Sequence, residues 1–265
     1  MLLKHNQRFQ GHPLLITSSV NVHSPASKLR NVWLRQSFTL QAISKWIKQV
    51  PGLNIILCDG SGHDFSHIIS DKFPGLTIEC LSFQNSYELV ARYGVGYGEG
   101  EIINYALKNS ALLNSAQYFV KCSAKLWLLN SRHLRLFDSK KDLTANFGFS
   151  TLDRLISSSP TYMDTRCYCV NRTFYHKYFE SAYKEVSDIA NNPLEAVMAT
   201  RLSGLSSRMS DYCINYYPVF RGVSGSSFHH YDETPIETLR QAIKHRIKVG
   251  MLKTIKHHKL IEFRG

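Results

Sequence analysis

The stretch "NIILCDGSGHD", residues 54–64, drives four apolar residues into Asp59 and then breaks into Gly-Ser-Gly. A short, uninterrupted apolar run bounded by turn residues has the signature of a strand buried on both faces, as in parallel sheets. A carboxylate and a loop at its carboxyl end place polar groups where open α/β sheets bind their ligands.

The flanking sequence repeats the pattern. "PLLITSSV" (13–20), "LNIILC" (53–58), "LTIECLSF" (76–83) and "QYFVKCSAKLWLL" (117–129) read as strands. Between the first two, Phe38, Ala42, Ile43, Trp46, Ile47 and Val50 keep helical spacing over 37–50, and Pro51-Gly52 stops that helix. "SHIISDKF" (66–73) is a short helix ended by Pro74-Gly75. The glycine-rich "RYGVGYGEGE" (92–101) reads as a turn leading into a helix over 102–116. This alternation predicts an α/β fold: a mostly parallel central sheet with helices on both faces. Residues 164–179 read as a strand entering an aromatic-rich helix, 192–205 as a helix, and 214–233 as a strand with a Gly/Ser loop. From Thr234 a capped helix carries an apolar stripe, Ile236, Leu239, Ile243, Ile247, Met251 and Ile255, beside a basic face. The expected organisation is one domain over 1–233, with halves 13–130 and 131–233, and a helical appendage over 234–265. The stripe is expected to pack on the domain.

The chain has 265 residues, 43% of them hydrophobic, enough for a full core. No run of 18 apolar residues occurs, and "MLLKHNQRFQGHP" lacks an apolar signal core, so a cytoplasmic protein is expected. Six scattered cysteines without a C-x-x-C pair read as reduced core residues. The net charge of +12 points to an anionic partner. Much of it lies beyond Arg240, so residues 240–265 are expected to attract an anionic membrane surface. That tail has Phe263 alone among Phe, Tyr and Trp and does not interleave aromatic residues with its charges for base stacking, which argues against nucleic acid. A non-catalytic anion-binding module remains the alternative.

The order "LLITSSV", "LNIILCDGSGHD", "IECLSFQNS", glycine-rich segment and helix resembles the nucleotide-sugar-binding half of GT-A-type glycosyltransferases. "GVGYGEGE" (94–101), "VKCSAKLWLLN" (120–130) and a late "SGSS" (224–227) are similar to a bacterial set that assembles surface polysaccharide such as lipopolysaccharide or capsule. The resemblance spans about residues 13–230. It implies a nucleotide-sugar donor and a glycan or lipid-linked acceptor, with Asp59 and Asn85 on the nucleoside and Gly96, Gly98 and Glu101 near the sugar or phosphates. A turn or capping role for Asp59 and for the glycine-rich segment competes with this. Lys121, in an apolar strand, either reaches a phosphate or pairs with an internal carboxylate. Lys125 is its companion. Where metal-dependent GT-A enzymes carry Asp-x-Asp, this chain reads "KCSAKLW", so no metal or other cofactor is expected and lysines would neutralise the diphosphate. An inverting reaction needs a carboxylate base. Asp164 and Glu195 are the candidates; the resemblance favours Glu195, and Asp164 can instead pair with Arg166.

Overall fold

The computed structural model describes residues 11–22, 24, 25 and 27–262. The opening stretch up to residue 10, read for a signal core, and Phe263 to Gly265 at the end of the basic tail lie outside the described residues. Strands β1 (Leu14–Ser18), β2 (Ile55–Asp59), β3 (Ile78–Ser82) and β4 (Tyr118–Ser123) pair in parallel in the order β3-β2-β1-β4. The chain turns into β5 (Leu126–Leu128), and β6 (Leu143–Thr144), β7 (Phe147–Gly148) and β8 (Tyr162–Met163) precede β9 (Cys167–Asn171). β9 joins the main sheet antiparallel to β4 and carries β6 on its far side. β7 pairs with β8, while β10 (Phe220–Val223) and β11 (His230–Tyr231) form a small antiparallel sheet with β5. The mostly parallel sheet expected from the sequence is therefore the one observed.

Strand alternation divides the core into two layers. Leu14, Ile16, Ile55, Leu57, Val120 and Cys122 point to one face, where α1 (Val32–Gln49) buries Leu40, Ile43 and Trp46 and α2 (Ser66–Lys72) adds Ile69. Leu15, Ile56, Cys58, Phe119 and Tyr168 point to the other. There α3 (Tyr87–Tyr93) leads into α4 (Val95–Asn109), which buries Ile102, Ile103 and Ala106, and α5 (Ala111–Asn114) adds Leu113. After α6 (Ser131–Leu134) and α7 (Leu152–Ile156), the same layer receives α8 (Arg172–Tyr178), α9 (Leu194–Arg201), α10 (Met209–Tyr212) and part of α11 (Pro235–Glu262). Both faces of the sheet are thus covered, which is why its strands read as continuous apolar runs. All six cysteines are free, and five are buried.

Four expectations are corrected. The strand read over 117–129 is two strands, because Lys125 takes φ 72° and turns the chain out of the main sheet. Helix α1 begins at Val32 rather than at residue 37, since the Asn31 side chain accepts a hydrogen bond from the Leu34 N–H (2.9 Å) and caps it. The glycine-rich segment is helical rather than a turn: only Gly94, at φ 105°, breaks α3 from α4. Its other glycines let neighbours approach, Gly96 facing Leu194, Gly98 facing Asn85 and Val90, and Gly100 facing Tyr183. Each glycine in a helix costs up to ~1 kcal/mol relative to alanine, so close packing overrides propensity here. Lastly, the α11 stripe does not pack on the domain over its first three turns. Its buried side is His245, Val249 and Leu252, while Ile236, Leu239, Ile243 and Ile247 are exposed.

A Cβ at Gly100 would lie 2.1 Å from Tyr183 Cβ, whereas one at Gly250 on α11 would meet nothing within 4 Å. Gly100→Ala should therefore lower stability by about 1–3 kcal/mol through overpacking. Gly250→Ala should raise it by up to ~1 kcal/mol by the helix preference alone. Urea unfolding of both variants tests the assignment of 95–109 as a packed helix.

Candidate active site

Between β1 and β4 the chain order of the sheet reverses, since β2 lies on one side of β1 and β4 on the other. Such a switch point opens a crevice beyond the carboxyl ends of the strands. A cleft of about 460 Å³ occupies that place, lined by Thr17, Ser18 and Ser19 at the end of β1 and by Ser123, Ala124 and Lys125 at the end of β4.

Two cations converge in this cleft. Arg35 leaves the first turn of α1 and donates to Ser19 O (2.7 Å), Leu29 O (2.7 Å) and Gly225 O (3.3 Å). Burial lowers its pKa to about 10, which still leaves it charged at neutral pH. Lys125 is buried, and among the described residues it has no hydrogen-bond or ion-pair partner. Burial first, and then Arg35, lower its pKa to about 7. Both approach the α-carbon of Gly225: a Cβ there would stand 3.0 Å from Lys125 Cε and 3.2 Å from Arg35 Nη2. An anion placed between them would restore the lysine's charge and relieve the repulsion.

Two carboxylates line the same cleft. Glu99 on α4 accepts at Oε1 from Thr17 Oγ1 (3.1 Å), Ser123 Oγ (3.1 Å) and Lys121 Nζ. Glu195, in the first turn of α9, accepts from Thr165 Oγ1 (2.9 Å), and its pKa is raised chiefly by burial, with Glu99 adding to the shift. Thr165 also offers its carbonyl to Lys121 Nζ (2.6 Å), so one chain of contacts joins the two carboxylates. The wall is completed by Tyr162, Tyr231 and Arg166, whose guanidinium lies 4.1 Å from the Phe220 ring centre and 5.1 Å from that of Tyr231. Ser18 Oγ, Ser24 Oγ and Asn85 Oδ1 are buried atoms of cleft residues that have no protein partner among the described residues. Among the described residues no group of three or more His, Cys, Asp or Glu could hold a metal.

Of the residues expected from the sequence, Glu195, Asn85, Gly98 and Lys125 line this cleft. The others do not reach it. Asp59 is fully buried: Oδ1 accepts from Ser61 N (2.8 Å), Ser61 Oγ (2.6 Å) and His63 N (3.3 Å), and Oδ2 from Val20 N (3.0 Å). It fixes the loop after β1 instead of reading a nucleoside. Lys121 takes the internal alternative, bonded to Glu99, to Ser123 Oγ (3.0 Å) and to Thr165 O, with no exposed surface left for a phosphate. Asp164 is consumed by Arg166, which donates through Nε (2.8 Å) and Nη2 (2.7 Å), so it is not free to act as a base. Gly96 packs against Leu194, and Glu101 holds Ser86 through Oγ (2.8 Å). Successive helical positions turn by about 100°, so Glu101 lies nearly opposite Glu99 on α4.

Sequence reasoning missed Arg35 and passed over Glu99 as a site residue. The signal for Glu99 is its spacing from Ile102, Ile103 and Ala106, which assigns it to the buried face once 95–109 is read as helix. For Arg35 the signal is the Asn31 cap, which draws the helix back to include it.

The pKa shift of Glu195 carries a stability prediction. Its folded value lies above the unfolded one, so the folded state holds the proton longer and stability falls as pH rises from the unfolded value through the folded one. Glu195→Gln, which keeps the acceptor for Thr165, should be more stable than the wild type at neutral pH. That advantage should fade below the unfolded carboxyl range, as thermal unfolding across pH would show.

No family model and no curated protein matches the chain. Among solved structures it is similar to an active-site mutant of LgtC, at 9% identity and TM-score 0.45, over 73% of this chain and 69% of that one. It is also similar to the bifunctional glycosyltransferase WbbM, at 9% identity and TM-score 0.42, over 75% of this chain and 38% of that one. A third is a putative nucleotide-diphospho-sugar transferase from Desulfovibrio desulfuricans G20, at 7% identity and TM-score 0.43, over 72% of this chain and 74% of that one. These likenesses are distant, and the chemistry of the cleft is read from its own residues.

Proposed function

We propose that the protein is a GT-A-like glycosyltransferase that moves a sugar from a nucleotide-sugar donor to a glycan or lipid-linked acceptor in surface-polysaccharide assembly, in the cytoplasm. The observation that carries this reading is the make-up of the cleft at the switch point, where the cations Arg35 and Lys125 and the carboxylates Glu99 and Glu195 line one cavity. A nucleotide sugar has matching groups: a diphosphate joined to a ring of hydroxyls. Arg35 and Lys125 bind the diphosphate and stabilise the charge that develops on it as it leaves, a role that a metal fills in other enzymes. Ser18, Ser24 and Asn85 offer hydrogen bonds to the nucleoside. Glu99 keeps Oε2 free of protein partners among the described residues and accepts from sugar hydroxyls.

Glu195 is the base in an inverting displacement. The acceptor oxygen bonds to the anomeric carbon as the bond to the diphosphate breaks on the opposite face, and the acceptor proton passes to the Glu195 carboxylate. The raised pKa of Glu195 favours taking that proton, and its seat at the start of α9 is held by Thr165.

The test is incubation with a panel of nucleotide sugars, with and without EDTA, following release of nucleoside diphosphate. One donor should be consumed, EDTA should leave the rate unchanged, and Lys125→Gln should weaken donor binding by about 10–100-fold, the worth of one charged hydrogen bond. A panel in which no donor binds contradicts the function, and a strict metal requirement contradicts the neutralisation by Arg35 and Lys125.

A further inference from the structure

Helix α11 is buried on one side and apolar on the other. His245, Val249 and Leu252 face the protein, while Ile236, Leu239, Ile243 and Ile247 are 80, 62, 53 and 59% exposed. At about 100° per residue these four fall within an arc of about 80° on the side away from the core. Exposed Arg246 borders that arc on one edge, and exposed Arg240 and Lys244 on the other. From Thr238 to Ile261 the helix has no Asp or Glu. The acid of its first turn, Glu237, is held by Thr234 N (2.8 Å) and Thr234 Oγ1 (2.9 Å) in the helix cap. The neighbouring α7 packs against α11 and leaves Leu152 and Ile156 60 and 50% exposed.

Single exposed apolar residues need no explanation, but a row of four at helical spacing marks an interaction face. We propose that this face of α11 lies in the plane of an anionic lipid bilayer, with the isoleucines and Leu239 at the acyl boundary and Arg240, Lys244 and Arg246 among the headgroup charges. An apolar arc edged by cations and free of acids is the composition of helices that rest on membranes. The same cations disfavour pairing with a second copy of this chain, which would set two basic faces together. Nucleic acid fits less well, because the centre of the arc is aliphatic and has nothing to stack on bases. No helix of the described residues is long and apolar enough to cross a membrane, so the helix lies on the bilayer. This inference is independent of the chemistry assigned to the cleft.

The experiment is flotation of the full chain with phosphatidylcholine vesicles, with and without phosphatidylglycerol, and with no sugar donor present. The wild type should float with the phosphatidylglycerol vesicles and be released by salt. Ile243→Glu/Ile247→Glu should lower the partition at least about tenfold. Arg240→Gln/Lys244→Gln should lower it by roughly 25-fold, about five-fold for each cation near the surface. Thermal unfolding checks that both variants keep the fold, as changes at exposed positions allow. A wild type that stays in solution, or flotation unchanged by the isoleucine changes, overturns the proposal. So does a dimer abolished by Ile243→Glu, or salt-sensitive binding to polynucleotide without vesicle binding. Because the assay contains no donor, its failure leaves the sugar-transfer reading standing, and failure of the donor assay leaves the membrane face standing.

Discussion

The ammonium of Lys121 sits in the middle of β4 with no exposed surface, and a charge so placed is tolerated only when it is paired and fully hydrogen-bonded. Its three partners come from three different parts of the chain: Glu99 from α4, Ser123 from the end of β4 and the carbonyl of Thr165 from the segment before β9. Satisfying this one group therefore fixes the helix above the sheet, the strand end and the following loop relative to each other. Thr165 in turn holds Glu195, so the orientation of the candidate base is tied to the same buried charge. Losing either member of such a pair leaves the other uncompensated, which makes the cleft wall and the fold share one point of failure.

Around that point two further devices set the cleft. Gly96 removes the side chain that would collide with Leu194, so α9 can start beside α4 and bring Glu195 close to Glu99. Beneath the cleft, Asp59 gathers the amides of Val20, Ser61 and His63 and so shapes the chain that leaves β1 after Ser18. Arg35 then donates to Ser19 O, which joins α1 to the same segment. The groups facing the ligand are thus held by residues that do not face it, as a preorganised site requires.

Much of the fold was legible because its strands are buried on both sides and read as unbroken apolar runs, with Pro-Gly pairs ending the helices between them. The glycine-rich segment misled because local propensity says turn, and only contacts with Leu194 and Tyr183, distant in sequence, make it a helix. That error carried into the site. A turn gives no face, so Glu99 and Glu101 could not be told apart, whereas a helix assigns one to the cleft and the other to Ser86. Asp59 ends β2 and Lys121 lies two residues before the end of β4, but the sequence does not show whether a polar residue near a strand end turns outward to a ligand or inward to the protein's own polar groups. Here both turn inward. The exposed stripe on α11 was equally ambiguous, since periodicity reveals an apolar face without saying what covers it.

The account stands on the claim that Arg35 and Lys125 form a seat for a diphosphate. A crystal structure of the protein with uridine diphosphate, obtained in EDTA, tests this most directly. Phosphate oxygens within hydrogen-bond distance of both Arg35 and Lys125, with the nucleoside toward Ser18 and Asn85, are the predicted result. A diphosphate bound elsewhere, or bound only once a divalent cation is added, would contradict it.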